Sequence, residues 1–121
     1  KLKVVASQTA NFNRTEGMSV MENMLQANGD IVAVFAANDE MALGAVEAAS
    51  GAGKKVLVVG FDATDDAIEA IKAGRMAATI AQQPALIGET AVRNAMTLIG
   101  GTAIDKAIPV EVTLVTADNV G

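Results

Sequence analysis

The sequence contains no cysteine, no histidine, no tryptophan and no tyrosine, and only 3 phenylalanines among 121 residues. Each absence closes a route to chemistry. Without cysteine there is no disulfide framework, no thiol nucleophile and no thiolate-bound zinc. Without histidine there is no Ser-His-Asp triad and no imidazole-ligated metal. Positive charge is scarce too. Lys and Arg number 9 against 14 Asp and Glu, a net charge of −5, which argues against a nucleic-acid partner. No apolar run reaches the roughly 18–20 residues a membrane helix needs, so no membrane insertion is expected. The opening Lys1-Leu2-Lys3-Val4-Val5 has no signal-peptide layout and reads as the middle of something longer. No motif calls for a cofactor.

What is present suits a packed core. Hydrophobic residues make up 51 % and charged residues 19 %, the balance of an ordered globular chain of one domain's length. Short apolar runs alternate with helical patterns. Leu2 to Ser7 reads as a strand. Arg14 to Asn28 places Met18, Met21, Met24 and Leu25 on one helical face, and Asn28-Gly29-Asp30 stops it. Ile31 to Phe35 is a continuous apolar run, the mark of a strand buried on both faces. Asp39 to Ala49 is a helix, ended by Gly51-Ala52-Gly53. Val56 to Val59 is another buried strand, closed by Gly60.

Thr64 then caps a helix whose first turn carries Asp65 and Asp66, favourable at the positive end of the dipole. Gly74 stops it. Ala77 to Ala81 reads as a strand. Pro84 sits just inside the next helix, where its missing N–H costs nothing, and Gly100-Gly101 ends that helix. Val110, Val112 and Leu114 alternate with Glu111 and Thr113, a half-exposed last strand at an edge or in a linker. Strands spaced by helices predict an α/β fold, an open, mainly parallel sheet flanked by helices on both faces.

Ligands of open α/β sheets bind beyond the carboxyl ends of the strands. The residues there are Asn11-Phe12-Asn13-Arg14, Asn38-Asp39, Phe61-Asp62 and Gln82-Gln83. The set offers an aromatic face, amides, carboxylates and a guanidinium. That mixture suits a sugar. Hydroxyls need donors and acceptors together, Asp accepts strongly, and Phe covers the apolar C–H face of a ring. An anion site would need clustered cations, and these are missing.

Each residue also has a plainer explanation. Asn38 or Asp39 suits a helix cap, Asp62 a turn, Phe12 a core position and Arg14 a solvated helix surface. Gln82 is harder to dismiss, because a polar residue ending a buried strand needs a partner. The methionine stripe is core packing. Gly51-Ala52-Gly53-Lys54-Lys55 has a phosphate-loop flavour, but it precedes a strand and no Ser or Thr follows the lysine. Asp65, Asp66 and Glu69 are better read as a solvated helix start than as a cation site. Asp39 with Asp62 offers paired carboxylates for acid–base work, but nothing in their spacing selects it.

Several blocks together resemble one family. Asn11 to Gly17, Ala33 to Ala45 with its Asn-Asp-Glu-Met-Ala-Leu-Gly core, Val58-Val59-Gly60-Phe61-Asp62, and Ala78-Thr79-Ile80-Ala81-Gln82-Gln83-Pro84 look like the second half of the periplasmic ribose-binding proteins of ABC importers. The resemblance covers nearly the whole chain. It implies a type I periplasmic-binding lobe that lacks its first strand and helix over residues 1–83. It further implies a helix at 84–100 that packs on an absent N-terminal lobe, and a returning hinge strand and tail at 101–121. It implies that Phe12 stacks on a pyranose ring and that Asn38, Asp62 and Gln82 bond its hydroxyls. Arg14 would bond the sugar or orient Asp62. Asn13 departs from the family, which often has Asp there.

The implied function is non-enzymatic binding of a monosaccharide, D-ribose foremost. The implied partners are the missing N-terminal half or chain and the membrane subunits of an ABC importer. The implied location is the periplasm, or a lipid-anchored extracellular site in a Gram-positive source. The alternative is the effector domain of a lactose-repressor-type regulator, which shares the Asn-Asp and Gly-Phe-Asp signals. The run Ala70 to Ile80 is importer-like and speaks against it. A lobe so truncated is expected to leave a sheet edge and an apolar face open.

Overall fold

Three helices begin in the same way, at a polar side chain that accepts a backbone N–H. Asn13 Oδ1 accepts from the Glu16 amide at 3.0 Å and starts α1 (Arg14–Ala27). Asn38 Oδ1 accepts from the Met41 amide at 3.0 Å and starts α2 (Asp39–Gly51). Thr64 Oγ1 accepts from the Ala67 amide at 3.4 Å and starts α3 (Asp65–Lys72). Each cap satisfies a donor that the helix itself cannot, a gain of about 1 kcal/mol. Strand β1 (Ala33–Phe35) lies between α1 and α2, β2 (Leu57–Val59) between α2 and α3, and β3 (Ala78–Ala81) after α3. Helix α4 (Pro84–Ile99) and strand β4 (Thr113–Thr116) complete the chain. This computed structural model describes residues 2–120.

The chain divides into two compact units, one reaching to Ala81 and resuming at Leu114, the other Gln82–Thr113. In the first, the sheet order is β1-β2-β3-β4. β1 and β2 run parallel with Ala33 opposite Leu57, Val34 opposite Val58 and Phe35 opposite Val59. β2 and β3 are parallel with Val59 opposite Ala78. Parallel neighbours need crossovers, and α2 and α3 supply them. The open α/β sheet with flanking helices is the expected architecture.

The core fills one face. Val58 is buried against Met21, Leu43, Val46, Ile71 and Met76, with Val34 partly buried beside them. Met21 and Leu25 are buried and Met18 packs at their margin, so the methionine stripe is core. α1 and α2 cross with little room for side chains. A Cβ on Gly44 would overlap the Arg14 carbonyl, and one on Gly17 would lie 2.8 Å from Met41 Cα. Glycine at both places lets the backbones touch.

Three expectations need correction. The runs 31–35 and 56–59 are not buried on both faces: Phe35 is 61 % and Leu57 64 % exposed. Side chains alternate along a strand, so these two lie opposite Val34 and Val58, on a bare face of the sheet. Leu2 to Ser7 forms no strand. A strand exists only with a partner to bond, and instead a gap of about 530 Å³ lies between this segment and β1, walled by Val4, Ala6, Ile31 and Val32. The last strand starts at Thr113, later than the alternation suggested. Val115 meets the core while Leu114 and Val112 are exposed. A one-residue offset turns every side chain to the other face.

The bare face and free edge have a consequence. The isolated 121-residue chain is expected to self-associate as its concentration rises, and Leu57→Lys is expected to weaken that association. Sedimentation velocity reads this directly. A single monomeric species with a sharp thermal transition would contradict it.

In the second unit, Pro84 opens α4 as anticipated, and Gln83 Nε2 donates to the Glu111 carbonyl at 2.9 Å. None of the α4 residues is buried, Val92, Met96 and Ile99 included.

Candidate functional site

The carboxyl ends of parallel β1 and β2 point the same way, and the unusual backbone lies in the loop beyond β2 and in the loop that leads into α1. Among the described residues, the non-glycine residues with positive φ are Asn11 (49°), Phe12 (56°), Asp62 (115°) and Ala63 (55°). Such conformations cost about 1–3 kcal/mol each and persist where surrounding contacts hold them. All four belong to two loops, one leading into α1 and one following β2.

Phe12 sits at the tip of the first loop and is 66 % exposed, so it is no core residue. The loop is tied down on both sides. Asn13 N–H donates to the Ala10 carbonyl at 2.9 Å, and Asn11 Nδ2 donates to Glu16 Oε2 at 2.7 Å. Asn38 follows β1 and does two things. Its Oδ1 caps α2, and its Nδ2 donates to the Phe12 carbonyl at 3.3 Å. The plainer cap explanation is therefore correct for Asn38, and it leaves the amino end at the loop surface. Asp62 follows β2 and is exposed. Its N–H donates to the Ile80 carbonyl at 2.9 Å.

Arg14, the first residue of α1, is held by carboxylates of two other helices. Nε and Nη2 donate to Glu40 at 3.1 and 2.8 Å, and Nη2 donates to Asp66 Oδ2 at 2.7 Å. The first turns of α1, α2 and α3 are thus tied at one guanidinium. The hydrogen bonds to Glu40 first, then Asp66, push its pKa above the ordinary arginine value, against a smaller opposing effect of burial. All three side chains are a third or more exposed, so solvent screening limits the cluster to about 1 kcal/mol. Arg14→Ala is expected to lower stability by about that much, and high salt to shrink the difference. Arg14→Lys is expected to restore little, because an ammonium cannot form the paired bond to Glu40. Urea titrations at low and high salt measure both.

Behind the surface lies a polar network that sequence reasoning missed. Asp39 is fully buried, whereas the sequence offered it as a strand-end ligand residue, a helix cap or a paired acid. Its Oδ1 accepts from Thr79 Oγ1 at 2.7 Å, and its Oδ2 accepts from the Thr64 amide at 2.8 Å and the Thr64 hydroxyl at 3.2 Å. The available signal was Thr79, a lone hydroxyl in the apolar strand Ala78-Thr79-Ile80-Ala81. Gln82, the first residue of the second unit, is exposed one residue beyond β3. Among the described residues no cluster of three or more acidic side chains could hold a metal ion, Asp65, Asp66 and Glu69 included. No helix among them is long and apolar enough to cross a membrane.

This fold, a parallel sheet joined by crossover helices, defines a class of open α/β lobes. The chain belongs to the periplasmic binding protein family, whose domain model matches residues 1–103. It is 53 % identical over 115 residues to the ribose import binding protein RbsB of Haemophilus influenzae, an alignment covering 95 % of this chain and 39 % of that protein. Among solved structures, it resembles an ABC transporter periplasmic solute binding protein from Actinobacillus succinogenes with bound D-allose. The TM-score is 0.83 and the identity 40 %, covering 98 % of this chain and 43 % of that one. It also resembles a solute binding protein from Bacillus halodurans with bound myo-inositol, at TM-score 0.81 and 43 % identity, covering 98 % and 42 %. The chain therefore spans well under half the length of these relatives.

Proposed function

We propose that this chain forms one wall of a monosaccharide-binding cleft in a longer protein that delivers its sugar to the membrane subunits of an ABC importer. The reading rests on one observation above the others. The four non-glycine residues with positive φ among the described residues lie in the two loops that present Phe12 and Asp62, and strain of this kind collects at ligand sites. In this reading Phe12 covers the apolar face of the ring, Asp62 accepts from its hydroxyls and the Asn38 amide donates to them. Gln82 joins them on the family resemblance alone. Arg14 acts beside the site, by holding three helix starts in place. No bond is broken, and release follows reopening of the cleft.

D-ribose is the first candidate sugar, because the ribose-binding relative is 53 % identical while those with allose and myo-inositol are 40 % and 43 % identical. These relatives favour the reading over a transcription regulator. The periplasm, or the outer surface of a Gram-positive cell, is the corresponding location. Helix α4 packs on the other lobe of the longer protein, which would cover its exposed Val92, Met96 and Ile99, and the segment after it returns as a hinge strand. The test is calorimetric titration of the full-length protein carrying this chain with D-ribose, D-allose and myo-inositol. Saturable binding of ribose in preference to the other two is expected. Binding of none of them would overturn the proposal.

A further inference from the structure

We propose that Asp39 and Thr79 are positioning residues for Asp62: the buried carboxylate and hydroxyl fix the turn that presents it. The inference rests on Asp62 being a sugar contact, as proposed above. Three successive amides are held in this turn. The Asp62 N–H donates to the Ile80 carbonyl at 2.9 Å. The Ala63 N–H donates to Thr79 Oγ1 at 3.2 Å. The Thr64 N–H donates to Asp39 Oδ2 at 2.8 Å. Only the first of these partners is backbone.

The hydroxyls connect the rest into one unit. Thr79 Oγ1 accepts from Ala63 and donates to Asp39 Oδ1 at 2.7 Å. Thr64 Oγ1 donates to Asp39 Oδ2 at 3.2 Å and accepts from the Ala67 amide of α3. One carboxylate thus joins β3, the start of α2 and the start of α3. Its partners here are neutral donors. A buried carboxylate is retained only where its lone pairs are used, and this one reaches the two residues after Asp62, Thr64 directly and Ala63 through Thr79 Oγ1.

The space is built for this group. Gly60 ends the run from β2 into the turn, and a Cβ there would overlap Asp39 Oδ1. Asp62 and Ala63 keep φ of 115° and 55°, values that a free loop of L-residues would leave. The network therefore does what a glycine would do elsewhere, while leaving a carboxylate at the exposed position. Asp39 does not cap its own helix, since Asn38 has that role.

The experiment combines affinity with a readout that needs no sugar. In the full-length protein, Thr79→Val removes the hydroxyl at nearly constant shape, Thr79→Ser keeps it, and Asp39→Asn replaces one acceptor oxygen by a donor. Thr79→Val and Asp39→Asn are each expected to weaken D-ribose binding about tenfold, the equivalent of one well-placed hydrogen bond. Thr79→Ser is expected to stay within about twofold, and Thr79→Val to add nothing in an Asp62→Ala background. Amide exchange at Ala63 and Thr64 is expected to speed up in Thr79→Val and Asp39→Asn with the α1 amides unchanged. Full additivity with Asp62→Ala, or unchanged exchange at 63 and 64 in folded Thr79→Val, would overturn the proposal. If the parent binds no sugar, the function reading fails, and the exchange data still decide whether the network holds the turn.

Discussion

Asp62→Ala in the full-length protein is expected to weaken D-ribose binding by at least about a hundredfold, near 3 kcal/mol, with the unfolding midpoint almost unchanged. The size follows from the chemistry. A carboxylate accepting from two sugar hydroxyls makes charge-assisted bonds, each worth about 1.5–3 kcal/mol. Its removal leaves those hydroxyls without a partner in a closed cleft, where water cannot easily replace it. Stability is expected to change little, because Asp62 is exposed and the turn is held by the backbone of β3 and by Thr79 and Asp39. Alanine at a φ of 115° adds modest strain of its own. Asp62→Asn separates charge from shape and is expected to retain part of the affinity. Calorimetric affinity together with a urea midpoint tests the pair. A ribose affinity unchanged in Asp62→Ala would refute the site.

The second large effect concerns the helices behind the site. Gly44→Ala is expected to destabilise the first unit by about 3 kcal/mol or more. The added methyl would overlap the Arg14 carbonyl and lie 2.7 Å from the Met18 amide. Both are backbone atoms, so no rotamer change relieves the clash, and α1 must move off α2. Overpacking of this kind costs at least 1–3 kcal/mol, which outweighs the roughly 1 kcal/mol that alanine gains over glycine in a helix. Gly51→Ala is the control, because nothing lies within 4 Å of its Cβ position. It is expected to be neutral or slightly stabilising. Sugar affinity should fall with Gly44→Ala as well, since α1 carries Arg14 and follows directly from the Phe12 loop. Equal midpoints for the two alanine variants would show that the crossing is looser than described.

Much of this fold was legible because its signals are local. Thr64 before Asp65-Asp66 identified a helix start, Pro84 another, and Gly74 an end; each is a matter of a few neighbouring atoms. The apolar runs located β1, β2 and β3 to within two residues at each end. What they could not reveal was burial. An apolar run shows that a strand can be covered on both faces, whereas Phe35 and Leu57 are uncovered in a chain of this extent. Leu2 to Ser7 has strand composition without a ladder partner, and partners are not local.

The candidate site divides in the same way. Asn38 and Asp62 could be named from their place after β1 and β2, whereas Phe12 was placed after an expected strand, Leu2 to Ser7, that does not form. Asp39 and Thr79 could not, since their roles depend on contacts 25 and 40 residues apart in the chain. Arg14 was read as touching the sugar or Asp62, and its engagement with Glu40 and Asp66 came from two helices whose approach no sequence pattern announced.

The cap at Asn38 also sets a polarity. Its carbonyl oxygen is engaged by the Met41 amide, so the side chain cannot turn over without releasing the helix start. Only its amino group can face a ligand, where it now reaches the Phe12 carbonyl at the long distance of 3.3 Å. An aspartate carboxylate can only accept. In the proposed site, a sugar hydroxyl that met both side chains would direct its proton to Asp62 and its lone pair to Asn38. Such a pair would read the orientation of a hydroxyl as well as its presence. A ligand carrying a ketone or an ether at that place could accept from Asn38 but would offer Asp62 no proton.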